Sequence, residues 1–379
     1  MVRERICMKK IAIIGAGLTG ATVARICAEN NIAVDIFDKR AKLGGMCADE
    51  MHTDGYYKSE FGPHIFHTSN EIVWNFVNRF TEFLPCRHVV CAKTDIGILP
   101  WPITLNTLSL VYNASIDDAL NLWKQEKNNE SLMLLRDNFE SICKSKVGEK
   151  VYRLLIENYS KKQWQRNLKE LPAELCGRIP FFYDTNDNFF RDKYVAMPKH
   201  GYSKFIIDML NHENINFVYK AIKTIDELKS YNAVINTGYI DELHDVDAEC
   251  EEGISVSFEW ICPSHDEFTL FEQGYTVIND CTNQTPYTRI TNYSAFYDNN
   301  FVAPLVGAER PCLKGERYYP VRSVENVLKH NKNIKEAKNS CKGLFISCGR
   351  CGSYRYLNMD EAIVEAMKVA KMAVEIIKN

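Results

Sequence analysis

The chain has 379 residues, too many for one small domain and enough for two or three lobes around a shared core. Its composition, 46% hydrophobic and 25% charged, is that of an ordinary globular protein. A formal charge of −3 gives no electrostatic case for a nucleic-acid partner or an anionic membrane, and no apolar run approaches the roughly 18–20 residues that span a bilayer.

The opening places basic residues ahead of an apolar stretch, which mimics a secretory leader. That stretch stops at a glycine directly after Ile14, so it reads as a first β-strand, and a cytoplasmic location is expected. The 14 cysteines are scattered singly and read as free, mostly buried thiols. The one close pair, Cys348-Gly-Arg-Cys351, has no second pair to complete a zinc site, and no metal is expected.

Ile11–Ile14 is a short continuous apolar run, as a strand buried on both faces requires. Gly15-Ala-Gly17-Leu-Thr-Gly20 follows at once, then a helical stretch over 21–30 and a second strand over 33–37 that ends at Asp38. This is a complete βαβ dinucleotide-binding unit. Gly15, Gly17 and Gly20 give the tight turn and the close approach to a pyrophosphate, Thr19 opens the helix, and Asp38, with Lys39 beside it, is placed to meet the ribose. Arg40-Ala-Lys-Leu-Gly44-Gly45 comes next and resembles the second fingerprint of FAD-binding flavoproteins, so the expected cofactor is FAD.

Residues 106–171 read as helical, with Val147, Val151, Leu154, Leu155 and Tyr159 giving 142–159 one apolar face. Strands are expected over 216–219, 233–236, 254–260, 275–278 and 287–293, with a helix over 203–210 between. Near the end, a strand over 343–347, Gly349-Arg350 and a long helix bearing Ala362, Ile363, Ala366, Met367, Ala370, Val374 and Ile377 on one face return to the first βαβ unit. The fold expected is α/β, a discontinuous Rossmann-like FAD-binding domain (1–80, 198–250 and 335–379). Into it are inserted a mainly helical substrate and lid domain (81–185) and an antiparallel β-sheet domain (186–197 and 251–334).

Three islands resemble the UDP-galactopyranose mutase family. They are Gly62-Pro-His64-Ile-Phe-His67-Thr68; Tyr159-Ser-Lys-Lys-Gln163-Trp164-Gln-Arg166 continuing through Glu170-Leu-Pro172 to Arg178-Ile-Pro180; and Pro286-Tyr287-Thr288-Arg289 with Tyr318-Tyr319-Pro320, Gly349-Arg350, Tyr354 and Tyr356. The resemblance runs from about residue 9 to the C-terminus. It implies a mutase interconverting the pyranose and furanose forms of a nucleotide-diphosphate sugar, with reduced FAD attacking the anomeric carbon and no net redox change. UDP-galactose is the first expectation and dTDP-fucose or UDP-N-acetylgalactosamine the alternatives, and the product serves cell-surface polysaccharide synthesis. A homodimer is the family's oligomeric expectation.

Residue by residue, the resemblance implies that Arg178 and Arg289 hold the diphosphate, a task suited to bidentate guanidinium contacts. Tyr318, Tyr319 and Tyr356 add phenol donors, Trp164 lines the sugar pocket, and Phe189-Phe190 stack on the nucleobase. Arg350, Met359 and the loop bearing His64 and His67 lie against the flavin, with one histidine kept as a proton shuttle. Four positions depart from the family: Pro63 replaces a small residue, Phe189 a tyrosine, and the His88 segment does not match. Asn358 replaces an aspartate while still reading as a helix N-cap with Glu361, so substrate recognition is altered rather than structure. Two other classes share the N-terminal fingerprints: an FAD-dependent amine or carotenoid-type oxidase, which gives paired arginines no role, and a non-catalytic flavin-binding or redox-sensing protein.

Overall fold

The structure is a computed structural model that describes residues 9–130, 138–243, 250–297 and 301–378. The chain divides into two compact units: 1–84, 196–253 and 318–379 form the first, and 85–195 and 254–317 the second.

The first unit is built on a five-stranded sheet, every neighbouring pair of which is parallel. Strand β1 (Lys10–Ile14), helix α1 (Leu18–Glu29) and strand β2 (Ala33–Asp38) form the βαβ unit where the sequence places it. The sheet runs Ile215–Tyr219, β2, β1, Ala233–Asn236, Leu344–Ser347, so the last strand of the chain is an edge strand separated from β1 by Ala233–Asn236. Ile11, Ile13 and Ile36 are fully buried; covering such side chains stabilises by about 1.5–3 kcal/mol each. The C-terminal helix Met359–Lys378 packs on α1, and Ile363, Ala366 and Ala370 on it are buried. On the other face, Ala12, Val234 and Phe345 meet Ala337 of helix Val324–Ser340 in one apolar cluster.

In the second unit a sheet runs Gly253–Ile261, Val306–Cys312, Arg289–Thr291, Val277–Asp280, Val90–Thr94, Gly97–Trp101. Its pairs are antiparallel apart from Val90–Thr94 beside Val277–Asp280. The hairpin Val90–Thr94/Gly97–Trp101 was not expected; a Thr-Asp-Ile-Gly turn links its strands, with the Thr94 hydroxyl donating to Gly97 O at 2.7 Å.

One expectation needs correction. The helix read over 142–159 is broken at Gly148, whose φ of 84° an L side chain adopts only at a cost. Phe139–Val147 ends there, its last carbonyl taking the Trp123 indole N–H at 2.7 Å, and the chain resumes through a wide i→i+5 turn over Tyr152–Glu157 into Asn158–Trp164. Within the second unit, helix Asn158–Trp164 packs on strand Val306–Cys312.

Among the described residues every cysteine is free, no cluster of three or more His, Cys, Asp or Glu could hold a metal, and no helix is long and apolar enough to cross a membrane.

Candidate active site

The nucleotide-binding half lies in the first unit. At Gly20 the helix start and the glycine turn meet so closely that a Cβ would stand 1.9 Å from Gly15 O. Gly17 and Gly44 form a parallel bridge, which brings the second glycine pair against the first turn. Asp38 is buried at the end of β2, and both its oxygens are used: one accepts the Ala16 N–H at 2.8 Å and the other the Arg40 N–H at 2.8 Å. The carboxylate therefore ties the two loops together, and each oxygen retains a lone pair for a ribose hydroxyl. Thr19 is buried in the first turn of α1, 2.7 Å from the point a Cβ on Gly349 would occupy, so the C-terminal strand–glycine–helix closes on the βαβ unit. Lys39 is exposed and turned to Glu242 at 3.0 Å, not toward the glycine turn.

Arg350 organises two tyrosines of this unit, Tyr356 and Tyr319. Its Nε and a second nitrogen donate to Leu357 O at 3.2 and 2.7 Å, and its guanidinium lies 4.2 Å from the Tyr356 ring centre. Tyr319 stacks on Tyr356 at 5.9 Å with the planes 4° apart, so one cation orders a two-ring ladder. Tyr318 is buried against Phe61 at 5.0 Å. Met359 Sδ accepts from the Cys47 thiol at 3.8 Å, and burial pushes that thiol up to about 12, so it stays protonated. The Asn358 N–H donates to Glu361 at 2.7 Å, the reciprocal half of a capping box; the Glu361 N–H goes to Asp360 at 2.8 Å instead of to the Asn358 side chain. His64 Nδ1 lies 2.7 Å from Gly62 O, which assigns a proton to Nδ1; His67 is half-buried on strand Phe66–Thr68.

The second unit carries the remaining residues. Trp164 is buried at the last position of helix Asn158–Trp164, which Gln165 ends with φ 50°. Arg178 is exposed at the end of the tight turn Ala173–Arg178. Phe189 and Phe190 meet edge to face at 4.8 Å, and His88 stacks on Phe190 at 5.3 Å. The family-departing His88 thus belongs to the aromatic cluster, fixed by Thr276 Oγ1 2.9 Å from its Nδ1.

Arg289 stands directly across the sheet from Glu309, and their side chains pair at 2.9 Å. Glu309 is 1% exposed; burial pushes its carboxyl above the ordinary value while Arg289 opposes the rise. Glu309 was not singled out from sequence. Its signal is a lone acid inside Val306-Gly-Ala-Glu309, a stretch otherwise reading as buried strand.

A glycine turn closed by a C-terminal strand, glycine and helix of the same unit defines a dinucleotide-binding protein. Comparison with known proteins makes this specific. A model described as UDP-galactopyranose mutase matches residues 154–356, and one described as NAD(P)-binding Rossmann-like domain matches 13–80. The chain is 34% identical to dTDP-fucopyranose mutase of Escherichia coli, over 97% of this chain and 99% of that one. It is 32% identical to the "Probable UDP-galactopyranose mutase" of Klebsiella pneumoniae, over 96% and 94%. A crystal structure of reduced UDP-galactopyranose mutase shares the fold, with a TM-score of 0.73 and 14% identity over 97% and 96% of the two chains. The chain belongs to the UDP-galactopyranose mutase family. It is an isomerase, and its cofactor is FAD, which the cradle of Gly15, Gly17, Gly20 and Gly44 and the position of Asp38 fit.

Proposed function

We propose that the chain interconverts the pyranose and furanose forms of a nucleotide-diphosphate sugar. The observation that carries this reading is near-full-length likeness to two mutases of one chemistry, in a chain that also bears Trp164, Arg178, Arg289 and Phe189-Phe190 in one unit. UDP-galactopyranose is the substrate favoured by the family match, and dTDP-fucopyranose by the relative at 34% identity. A cytoplasmic location and a homodimer belong to the same proposal, and sedimentation reads the second.

Ring contraction requires the bond from the anomeric carbon to the diphosphate to break and re-form. Reduced FAD, when bound, supplies the nucleophilic nitrogen. The residues of the chain hold the departing charge. Arg289, its plane fixed by Glu309, and Arg178 offer planar donors to phosphate oxygens, a contribution greatest where water is excluded. Tyr319 and Tyr356, with Tyr318, add phenol hydroxyls from the ladder that Arg350 orders. Trp164 covers the sugar and Phe189-Phe190 the base. Asn358 meets the sugar with an amide where an aspartate would bring a charge. His64, when neutral with its proton on Nδ1, leaves Nε2 to accept a proton during ring opening, and His67 stiffens the same loop.

The test uses Arg178→Ala and Arg289→Ala, reduced with dithionite and supplied with UDP-galactopyranose or dTDP-fucopyranose. FAD content should stay that of the parent while furanose formation falls at least about 100-fold. Parental rates in both variants would remove the arginines from the diphosphate site.

A further inference from the structure

Lys162 lies two residues before Trp164 and is almost wholly buried, its side chain 12% exposed. Its ammonium faces three acceptors on one turn: Tyr287 O at 2.7 Å, Asp280 Oδ1 at 3.2 Å and Thr285 O at 3.4 Å. An ammonium has three N–H donors, so one cation meets one three-point socket. Burial draws the Lys162 value down, and Asp280 opposes that fall.

Asp280 in turn knits the whole turn. Its Oδ1 accepts from the Thr282 N–H at 2.8 Å and hydroxyl at 2.7 Å, and its Oδ2 from the Thr285 hydroxyl at 2.8 Å. Its N–H donates to Thr288 O at 2.9 Å, the residue directly before Arg289. Burial pushes the Asp280 carboxyl up, but the Thr282 bonds and Lys162 outweigh it and hold the group below its ordinary value. The helix that ends in Trp164 and the turn that leads into Arg289 come from segments far apart in sequence, and the Lys162–Asp280 clamp joins them.

We infer that Lys162 and Asp280 are positioning residues of the mutase, a clamp that sets Trp164 and Arg289 at a fixed separation. The inference rests on the functional reading of those two residues. Neither Lys162 nor Asp280 needs to touch substrate; the effect is transmitted through helix Asn158–Trp164 and strand Arg289–Thr291. A small misplacement of charge relative to a reacting bond costs about 100-fold in rate, so loosening the clamp should be read in turnover.

Three variants of the full-length, FAD-loaded protein test this: Lys162→Met, Asp280→Asn, and the two together. Each single variant leaves one buried charge without its opposite charge, so it loses both melting temperature and turnover per bound flavin, the latter about 10- to 100-fold. The double variant removes both charges at nearly constant volume. It should regain melting temperature without regaining turnover, because the socket is still empty of its tripod. In Lys162→Ala, ethylammonium added to the assay should restore part of the rate. Recovery of turnover together with melting temperature in the double variant would mean that the pair only stabilises the fold, and would overturn the inference. Turnover within about twofold of the parent in both single variants would overturn it too. Retention of full turnover by Trp164→Ala and Arg289→Ala would instead overturn the functional reading, and this inference with it.

Discussion

Replacing Arg289 by methionine should cost stability as well as catalysis, and the stability cost should depend on pH. Glu309 is 1% exposed, its carboxylate pairs with Arg289 at 2.9 Å, and its Oε1 has no hydrogen bond among the described residues. Breaking a buried ion pair from one side costs about 3–5 kcal/mol. The loss is capped, because Glu309 can instead take up a proton. Holding a carboxyl of ordinary value 4.5 protonated at pH 7 costs about 3.5 kcal/mol, at about 1.4 kcal/mol per pH unit. We therefore expect a deficit of about 3 kcal/mol at pH 7, or roughly 6–12 °C in melting temperature for a unit of this size. A carboxyl raised by folding contributes stability that is fully present below 4.5 and is lost as pH rises through its folded value. Removing Arg289 raises that folded value further, so the deficit against the parent should grow as pH rises above 4.5. Arg289→Met/Glu309→Gln should regain most of the stability and flatten the pH profile while staying inactive. Thermal melts from pH 4.5 upward decide it: a deficit independent of pH, or no recovery in the double variant, would refute the reasoning.

Gly20→Ala drives a methyl to 1.9 Å from Gly15 O, so the purified protein should carry much less than one flavin per chain; full occupancy by absorbance would contradict the packing. Phe190→Ala removes a stacking face and should weaken UDP or dTDP binding about 10- to 100-fold by calorimetry, and an unchanged affinity would take Phe190 out of the nucleobase site. Tyr354→Phe deletes the hydroxyl whose one proton lies between Glu252 O at 2.6 Å and Val321 O at 2.9 Å; a loss of about 1–3 kcal/mol in denaturant melts is expected, with parental turnover per bound flavin.

The βαβ unit was legible because its strands are continuous apolar runs and its turn is marked by glycines, both local signals. Strand Ala233–Asn236 fell where the pattern put it, and the C-terminal helix was readable from its apolar stripe. The break at Gly148 was hidden because the apolar spacing on either side continues in phase, and one glycine in a helical pattern does not reveal a φ of 84°. The hairpin Val90–Thr94/Gly97–Trp101 lacks the alternation that marks a half-exposed pair. Candidate site residues with an unusual neighbourhood in sequence, such as Trp164 and Arg178, are proposed from the family resemblance. Their supports are not: Glu309 and Asp280 act through cross-strand register and turn bonding, and Lys162 through a socket assembled from residues far along the chain. Lys39 shows the converse, since adjacency to Asp38 suggested a cofactor role while its side chain turns to Glu242.

The central claim, a flavin-dependent mutase, is tested most directly by incubating the protein with UDP-galactopyranose and with dTDP-fucopyranose, once reduced with dithionite and once oxidised. Separation of the nucleotide sugars should show furanose from at least one substrate in the reduced sample and none in the oxidised one. No furanose from either sugar, or equal conversion in both redox states, would contradict the account.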